Sequence, residues 1–210
     1  MDPEAVDDGT PAPHRRGTDG YAPGRARRAQ IIQAAIELFG EHGYRATSLR
    51  QIGAHCGITH AGVLHHFPTK EELLLAVLDA RDAEDTAGLQ TRVASWGDAI
   101  ELLMATVHAI TQRRQVVELF TTLAAESTTA DHPAHAHFAR RYDFARSIME
   151  KGYRMAERQG VLRPGIDPVQ AAVQLVAVLD GLQLQWLLSG GELDIEAPLR
   201  AFLDSQLTQE

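Results

Sequence analysis

Cysteine is almost missing from this chain of 210 residues: Cys56 is the only one. A lone thiol excludes an intramolecular disulfide framework and a cysteine-rich zinc module. Long apolar runs are missing as well. None approaches the roughly 18 residues of a membrane span, and the polar N-terminus lacks a signal-peptide pattern. A soluble, cytoplasmic protein with no membrane partner is expected. There is no nucleophile–base pair, glycine-rich phosphate loop or metal motif, which argues against an enzyme and against any cofactor. His132, His135 and His137 beside Asp131 come nearest to a metal set. Only His132 and His135 have helical i, i+3 spacing, too few convergent ligands for a tetrahedral site, so no metal is expected. Strand-type alternation and internal repeats are absent, and the expected fold class is all-α.

A cationic surplus is lacking overall, since the formal net charge is −8. Its distribution says more than its total. Tyr21 to Lys70 carries six basic residues against two acids, whereas residues 71–210 carry twelve against twenty-one. A basic segment joined to an acidic body favours phosphate binding at one end and repels nucleic acid elsewhere.

What is present is concentrated between Thr47 and Lys70, TSLRQIGAHCGITHAGVLHHFPTK. Ser48 and Gln51 have capping-box spacing, and Leu49, Ile52 and Cys56 form one helical stripe ended by Gly57. Cys56 on that packed face reads as a small buried hydrophobe. Thr59 is the expected N-cap of a second helix, with Ile58 and Val63 at hydrophobic-staple spacing. Pro68 stops that helix, and Thr69 with Glu72 opens the next. Two short capped helices around a glycine turn are the sequence form of a helix-turn-helix. Its second helix would present Thr59, His60, Ala61, Leu64 and His65 to a DNA major groove, while Val63 and Phe67 pack inward. Helical spacing favours His65 over His66 for the outward position. Thr47 and Lys70, at helix starts, are expected to hold phosphate, as are Arg27 and Arg28 at the start of the preceding helix. Tyr44 either packs the turn or touches phosphate.

The segment IIQAAIELFGEHGYRATSLRQIGAHCGITHAGVLHHFPTKEELL resembles the DNA-binding domain of the tetracycline-repressor (TetR) family of transcriptional regulators. It carries the pattern A-x-x-L-F-x-x-x-G-Y-x-x-T-x-x-x-I-A-x-x-x-G-V almost throughout, and H-F-P-T-K-E-E-L is among its most diagnostic parts. Leu64 stands where the family usually has Tyr, and His60 where Lys, Arg or another polar residue is common. The resemblance implies a homodimer on double-stranded operator DNA, released by a small organic effector.

The chain divides into an N-terminal arm expected to be disordered (1–24), a helix-turn-helix domain (25–70) and a ligand-binding and dimerisation domain (71–210). The first helix should run from Arg25 to His42. In the body, helices are expected from Thr69 towards Leu89 and over Ser95–Arg114, Gln115–Ser127, Pro133–Gln159, Asp167–Leu188 and Asp194–Leu207. Pro133 suits the first position of its helix. Asp167–Leu188 is apolar over most of its surface and needs more than one packing partner. Val169, Val173, Val176 and Leu182, with Leu199, Phe202 and Leu203 of the last helix, are therefore the expected dimer interface. That pair of helices also resembles, more loosely, the terminal helices through which a TetR subgroup forms a four-helix bundle. Polar or aromatic residues on apolar helices are the effector-pocket candidates: Trp96, His108, Phe120, Glu126, Tyr142, Arg146, Asp180, Gln183 and Trp186. A buried Asp180 needs a partner or a proton, which suits a pocket and an interface equally. Alternatives to a ligand-responsive repressor are an effector-independent architectural DNA-binding protein and, more remotely, an enzyme of unknown type.

Overall fold

The structure, a computed structural model, describes residues 21–87 and 94–208. Nine α-helices are described: α1 (Tyr21–His42), α2 (Leu49–His55), α3 (His60–His66), α4 (Lys70–Ala87), α5 (Trp96–Thr111), α6 (Arg114–Glu126), α7 (His135–Arg158), α8 (Pro168–Leu188) and α9 (Glu196–Asp204). Apart from one isolated bridge between Leu162 and Leu207, the described residues form no strand pairing. The all-α expectation holds. Most of the expected arm lies outside the described residues, but Tyr21 to Gly24 belong to α1, which starts four residues before Arg25. The expected continuation of α4 to Leu89 also lies outside them. Pro133 sits in a turn, and α7 starts at His135 instead. His132 decides this, because its Nδ1 accepts the Ala134 N–H at 3.2 Å and holds the preceding residues off the helix.

The buried apolar residues form two cores. The first is built on Ile31, Phe39, Ile52, Val63 and Phe67 and continues into Leu73, Leu74, Val77 and Leu78 of α4. It also takes in Leu119 and Leu123 of α6 and Phe138 of α7. Packing therefore does not stop at residue 70. The start of α4, with α6, shares one core with the helix-turn-helix. Where α1 crosses the start of α6, a Cβ on Gly40 would stand 3.1 Å from the Gln115 carbonyl oxygen. Only glycine lets the two backbones approach so closely.

The second core fills the body between α5, α7, α8 and α9, around Trp96, Tyr153, Leu175, Trp186, Leu199 and Leu203. The segment GVLRPGIDP turns the chain from α7 to α8 with Gly160 and Gly165 at φ 72° and 90°. Asp167 caps α8 by accepting the Val169 N–H at 3.1 Å, and Pro168 takes the first turn, where its missing N–H costs nothing.

α8 also corrects the expectation about apolar runs. Its 21 residues are long and apolar enough, by length and composition, to cross a membrane. In the fold its inner face packs on α7, α6 and α9. Its outer face leaves Val169, Val173, Leu184 and Leu188 exposed at 40, 44, 47 and 79%. At 100° per residue these four fall within about 100° of one another, a single apolar stripe. The interface residues expected on α9 do not join it. Leu199 and Leu203 are fully buried in the body's own core, and Phe202 packs partly against that core. On α8, Val176 is buried and Leu182 is half-buried in the second core. The face free for a partner is Val169, Val173, Leu184 and Leu188.

Candidate nucleic-acid interface

The helix-turn-helix is assembled by the caps its sequence carries. Ser48 Oγ accepts the Gln51 N–H at 3.3 Å while Gln51 Oε1 accepts the Ser48 N–H at 2.8 Å, which starts α2. Gly57, at φ 66°, ends it. Thr59 Oγ1 accepts the Gly62 N–H at 3.1 Å and starts α3. α2 and α3 close tightly because Gly53 has no side chain: a Cβ there would lie 3.0 Å from the Ile58 oxygen and 3.1 Å from Val63 Cγ2. Val63 and Phe67 are buried beneath α3. Thr59, His60, Ala61, Leu64 and His65 are exposed on its outer side, while His66 is half-buried with its ring 5.2 Å from that of His65.

Around this helix lie the cations. Arg28 is exposed and sets its guanidinium 4.7 Å from the centre of the Phe67 ring at the end of α3. Arg27 bonds Gln30 at 2.7 Å. Because α1 begins at Tyr21, neither arginine stands at a helix start, and both act as exposed side-chain cations instead. Lys70 opens α4; its Nζ donates to the Arg45 carbonyl at 3.2 Å and lies 4.3 Å from the Tyr44 ring centre. Burial pulls the Lys70 ammonium below the usual lysine range, and the Glu71 carboxylate partly offsets this. Two of its three N–H donors are left over for a phosphate.

Thr47 and Tyr44 are different. Thr47 is 1% exposed, and its hydroxyl is directed inward at the Leu38 and Gly43 carbonyls, 3.0 and 2.9 Å away. It locks the α1–α2 turn and has no hydroxyl to offer a phosphate. Tyr44 is buried edge-on against Phe39. Burial and Glu71, whose carboxylate accepts its hydroxyl at 3.5 Å, raise the phenol to about 12. It packs the turn and carries Lys70.

The pattern matches two family profiles. Residues 31–77 match that of the bacterial regulatory proteins of the tetR family, and residues 99–208 match the C-terminal domain of BetI-type transcriptional repressors. The chain belongs to the tetR family. It is a DNA-binding transcriptional regulator, not an enzyme. Similar full-length regulators include TtgR of Pseudomonas putida, 27% identical over 197 residues covering 86% of this chain and 89% of that one. The repressor KstR2 of Mycobacterium tuberculosis is 26% identical over 172 residues, 80% and 84% of the two chains. Among solved structures, SmeT, the repressor of the Stenotrophomonas maltophilia multidrug efflux pump SmeDEF, shares the fold in its complex with triclosan. The TM-score is 0.75 at 24% identity, covering 88% of this chain and 93% of that one.

In the body of this family member, the nine candidate pocket residues do not gather in one place: Tyr142 and Asp180 meet, and the others lie elsewhere. His108 is exposed and pairs with Glu196 of α9 at 3.0 Å, and Arg146 pairs with Asp143 one turn away. Asp180, Gln183 and Trp186 separate by helical phase. Trp186 is buried against Gly191, with the Arg114 guanidinium 5.7 Å from its ring. Asp180 lies about 120° round the helix from Trp186, within the exposed apolar stripe of α8, and Gln183 is half-buried between them. Asp180 keeps exposed surface, yet desolvation against α7 still raises its carboxyl, partly offset by the Tyr142 hydroxyl and Arg141. Tyr142 is raised to about 12, chiefly by burial and then by Asp180. Glu126 is half-buried with one oxygen enclosed and unpaired. Phe120 meets Phe138 edge-on and lies beneath the guanidiniums of Arg81 and Arg141, at 6.0 and 5.5 Å. Trp96 packs on Tyr153, with ring centres 5.1 Å apart.

Two clefts of about 180 and 250 Å³ open where head meets body. The first is lined by Phe39, Tyr44 and Leu119 among others, the second by Tyr44, Glu71 and His132. None of the nine candidates lines either cleft.

The residues that tie the head to the body are not visible as a motif. His137, 4% exposed on α7, lies between two carboxylates of α4, with Nε2 3.2 Å from Asp82 and Nδ1 3.7 Å from Asp79. The Asp82 contact has ion-pair distance but falls off the hydrogen-bond line. Arg141 contacts Asp82 as well. Burial works against ionisation of Asp82, but His137 and Arg141 outweigh it and hold the carboxyl below its usual range. The i, i+3 spacing of Asp79 with Asp82, and the i, i+4 spacing of His137 with Arg141, were the only advance signals.

Proposed function

We propose that the protein is a cytoplasmic, homodimeric repressor that leaves a pseudo-palindromic operator when a small organic effector binds its body. The observation that carries this reading is the exposed α3 face held on a head whose core runs without a break into α4, α6 and α7. Two such faces, joined through the Val169, Val173, Leu184 and Leu188 stripe, would read successive major grooves. Arg27, Arg28 and Lys70 would set the register on phosphates, and His60, Ala61, Leu64 and His65, with Thr59 at the cap, would read bases.

The coupling follows from packing. α4 carries Lys70 at its DNA end and Asp79 and Asp82 against His137 at its body end. α6 meets α1 at Gly40. A ligand that displaces α6 or α7 therefore moves both supports of the head. Nearly complete switching, from 99:1 to 1:99, requires about 5.5 kcal/mol of differential binding between the two states.

The test is selection of bound fragments from genomic DNA, followed by titration of the selected operator with a metabolite panel. An inducer must weaken operator binding by the same factor by which operator weakens inducer binding. Ligands that bind with equal affinity in both titrations, across the whole panel, would exclude effector control.

A further inference from the structure

Two hydrogen-bond donors in the body core have no acceptor. Trp96 Nε1 and Tyr153 Oη are each enclosed and unpartnered, on residues 7% and 0% exposed. Their rings touch, with centres 5.1 Å apart and planes inclined at 40°. Buried polar groups are nearly always paired, and a lone orphan is already unusual. Two on adjoining rings put both unsatisfied donors in the same layer of the core, between α5 and α7.

The position is built, not loose. Trp96 begins α5, where its backbone N–H donates to Gln159 Oε1 at 3.0 Å across from the end of α7. Gly152 lets the indole lie against α7, since a Cβ there would stand 3.3 Å from Trp96 Cζ3. Tyr153 falls on the inward row of α7 with Met149 and Ala156. Burial pushes the Tyr153 phenol up, so it stays neutral and able to donate. An indole N–H can only donate. The buried neighbours in that core, such as Met104, Val107, Leu162 and Leu175, are apolar. A charged ligand would lose its hydration against these apolar side chains.

From this we infer that Trp96 and Tyr153 form the anchoring subsite for the effector, and that the effector is a neutral, largely apolar molecule carrying an oxygen acceptor such as a ketone, ester or ether. The inference rests on the ligand-responsive reading above and adds its chemistry. Binding at this point wedges α5 from α7, the helix that bears His137 and Arg141.

A matched pair of probes tests it: acetophenone, and ethylbenzene, which has nearly the same shape without the carbonyl. The full chain is labelled with 15N at its indoles and the two indole N–H signals are assigned with Trp186→Phe. Acetophenone should move the Trp96 signal downfield and saturably, and leave that of Trp186 in place. Ethylbenzene should bind several-fold more weakly with no downfield shift. Tyr153→Phe should weaken acetophenone roughly threefold to tenfold, the range of one net hydrogen bond, and leave ethylbenzene unchanged. Equal binding of the two probes, a Trp96 signal unmoved by acetophenone, or unchanged acetophenone affinity in Tyr153→Phe would overturn the proposal. Each of these leaves the two donors to a bridging water. If the variant fails to fold, the probe contrast on the wild-type chain decides alone. The readout uses no DNA, so a ligand that fails here does not touch operator control. Conversely, loss of operator control leaves the indole result standing.

Discussion

Thr47 separates a structural hydroxyl from a DNA-contacting one, and Thr47→Val tests it with almost no change in volume. The substitution removes a buried hydroxyl that serves two carbonyls, at 3.0 and 2.9 Å, and leaves both without that donor. The Gly43 carbonyl keeps the backbone N–H of residue 47 at 3.3 Å, and the hydroxyl has a single proton to share, so the loss is that of one net hydrogen bond, about 0.5–1.5 kcal/mol. For a chain of this size that lowers Tm by about 1–6 °C, measured at fixed protein concentration because dimerisation shifts the midpoint. Operator affinity should be unchanged at 25 °C, since a domain stable by about 5–15 kcal/mol stays folded after such a loss. The salt dependence of operator binding should also keep its slope. Lys70→Ala is the contrast: it should weaken binding to every operator alike and reduce the salt slope by about one. A Thr47→Val protein with unaltered Tm and a slope reduced by about one would refute the reasoning and return Thr47 to the phosphate contacts.

His60→Ala or Leu64→Ala should change preference at particular half-site positions by about 1–3 kcal/mol per lost base contact, read by fragment selection; equal losses on all sequences would assign these residues to the backbone or to folding. Val173→Glu or Leu184→Glu should give folded monomers by sedimentation, whereas Leu199→Glu, which places a carboxylate in the body core at a cost of several kcal/mol, should unfold the chain. Dimers persisting in both α8 variants would sink the proposed interface. The lowered Asp82 carboxyl gives a pH prediction: its contribution is complete above the ordinary carboxylate range near 4 and is lost as pH falls through that range and below it. The fall in Tm between pH 7 and pH 3 should therefore be smaller in Asp82→Asn than in the wild type, and an equal fall would mean that Asp82 does not stabilise the α4–α7 contact.

The sequence by itself determined the head, because every instruction there is local. Ser48 with Gln51, Gly57, Thr59 and Pro68 act within one turn of helix, so caps and stops are legible from spacing alone. The outward set on α3 followed from helical period and the inward pull of Val63 and Phe67. What only the tertiary structure decided depends on contacts between helices distant along the chain. Thr47 has the residue type and place of a phosphate ligand, but the Leu38 carbonyl nine residues earlier takes its hydroxyl inward. Leu199 and Leu203 have the pattern of an interface stripe, yet an apolar face cannot specify which surface covers it, and the body's own core does so. Asp180 and Trp186 are six residues apart and point about 120° from one another round α8, one to the exposed stripe and one to the core. The pairing of Trp96 with Tyr153, 57 positions apart, is set by how α5 crosses the end of α7. Such crossings are fixed by side-chain packing across the whole body, a non-local property that spacing along one helix does not carry.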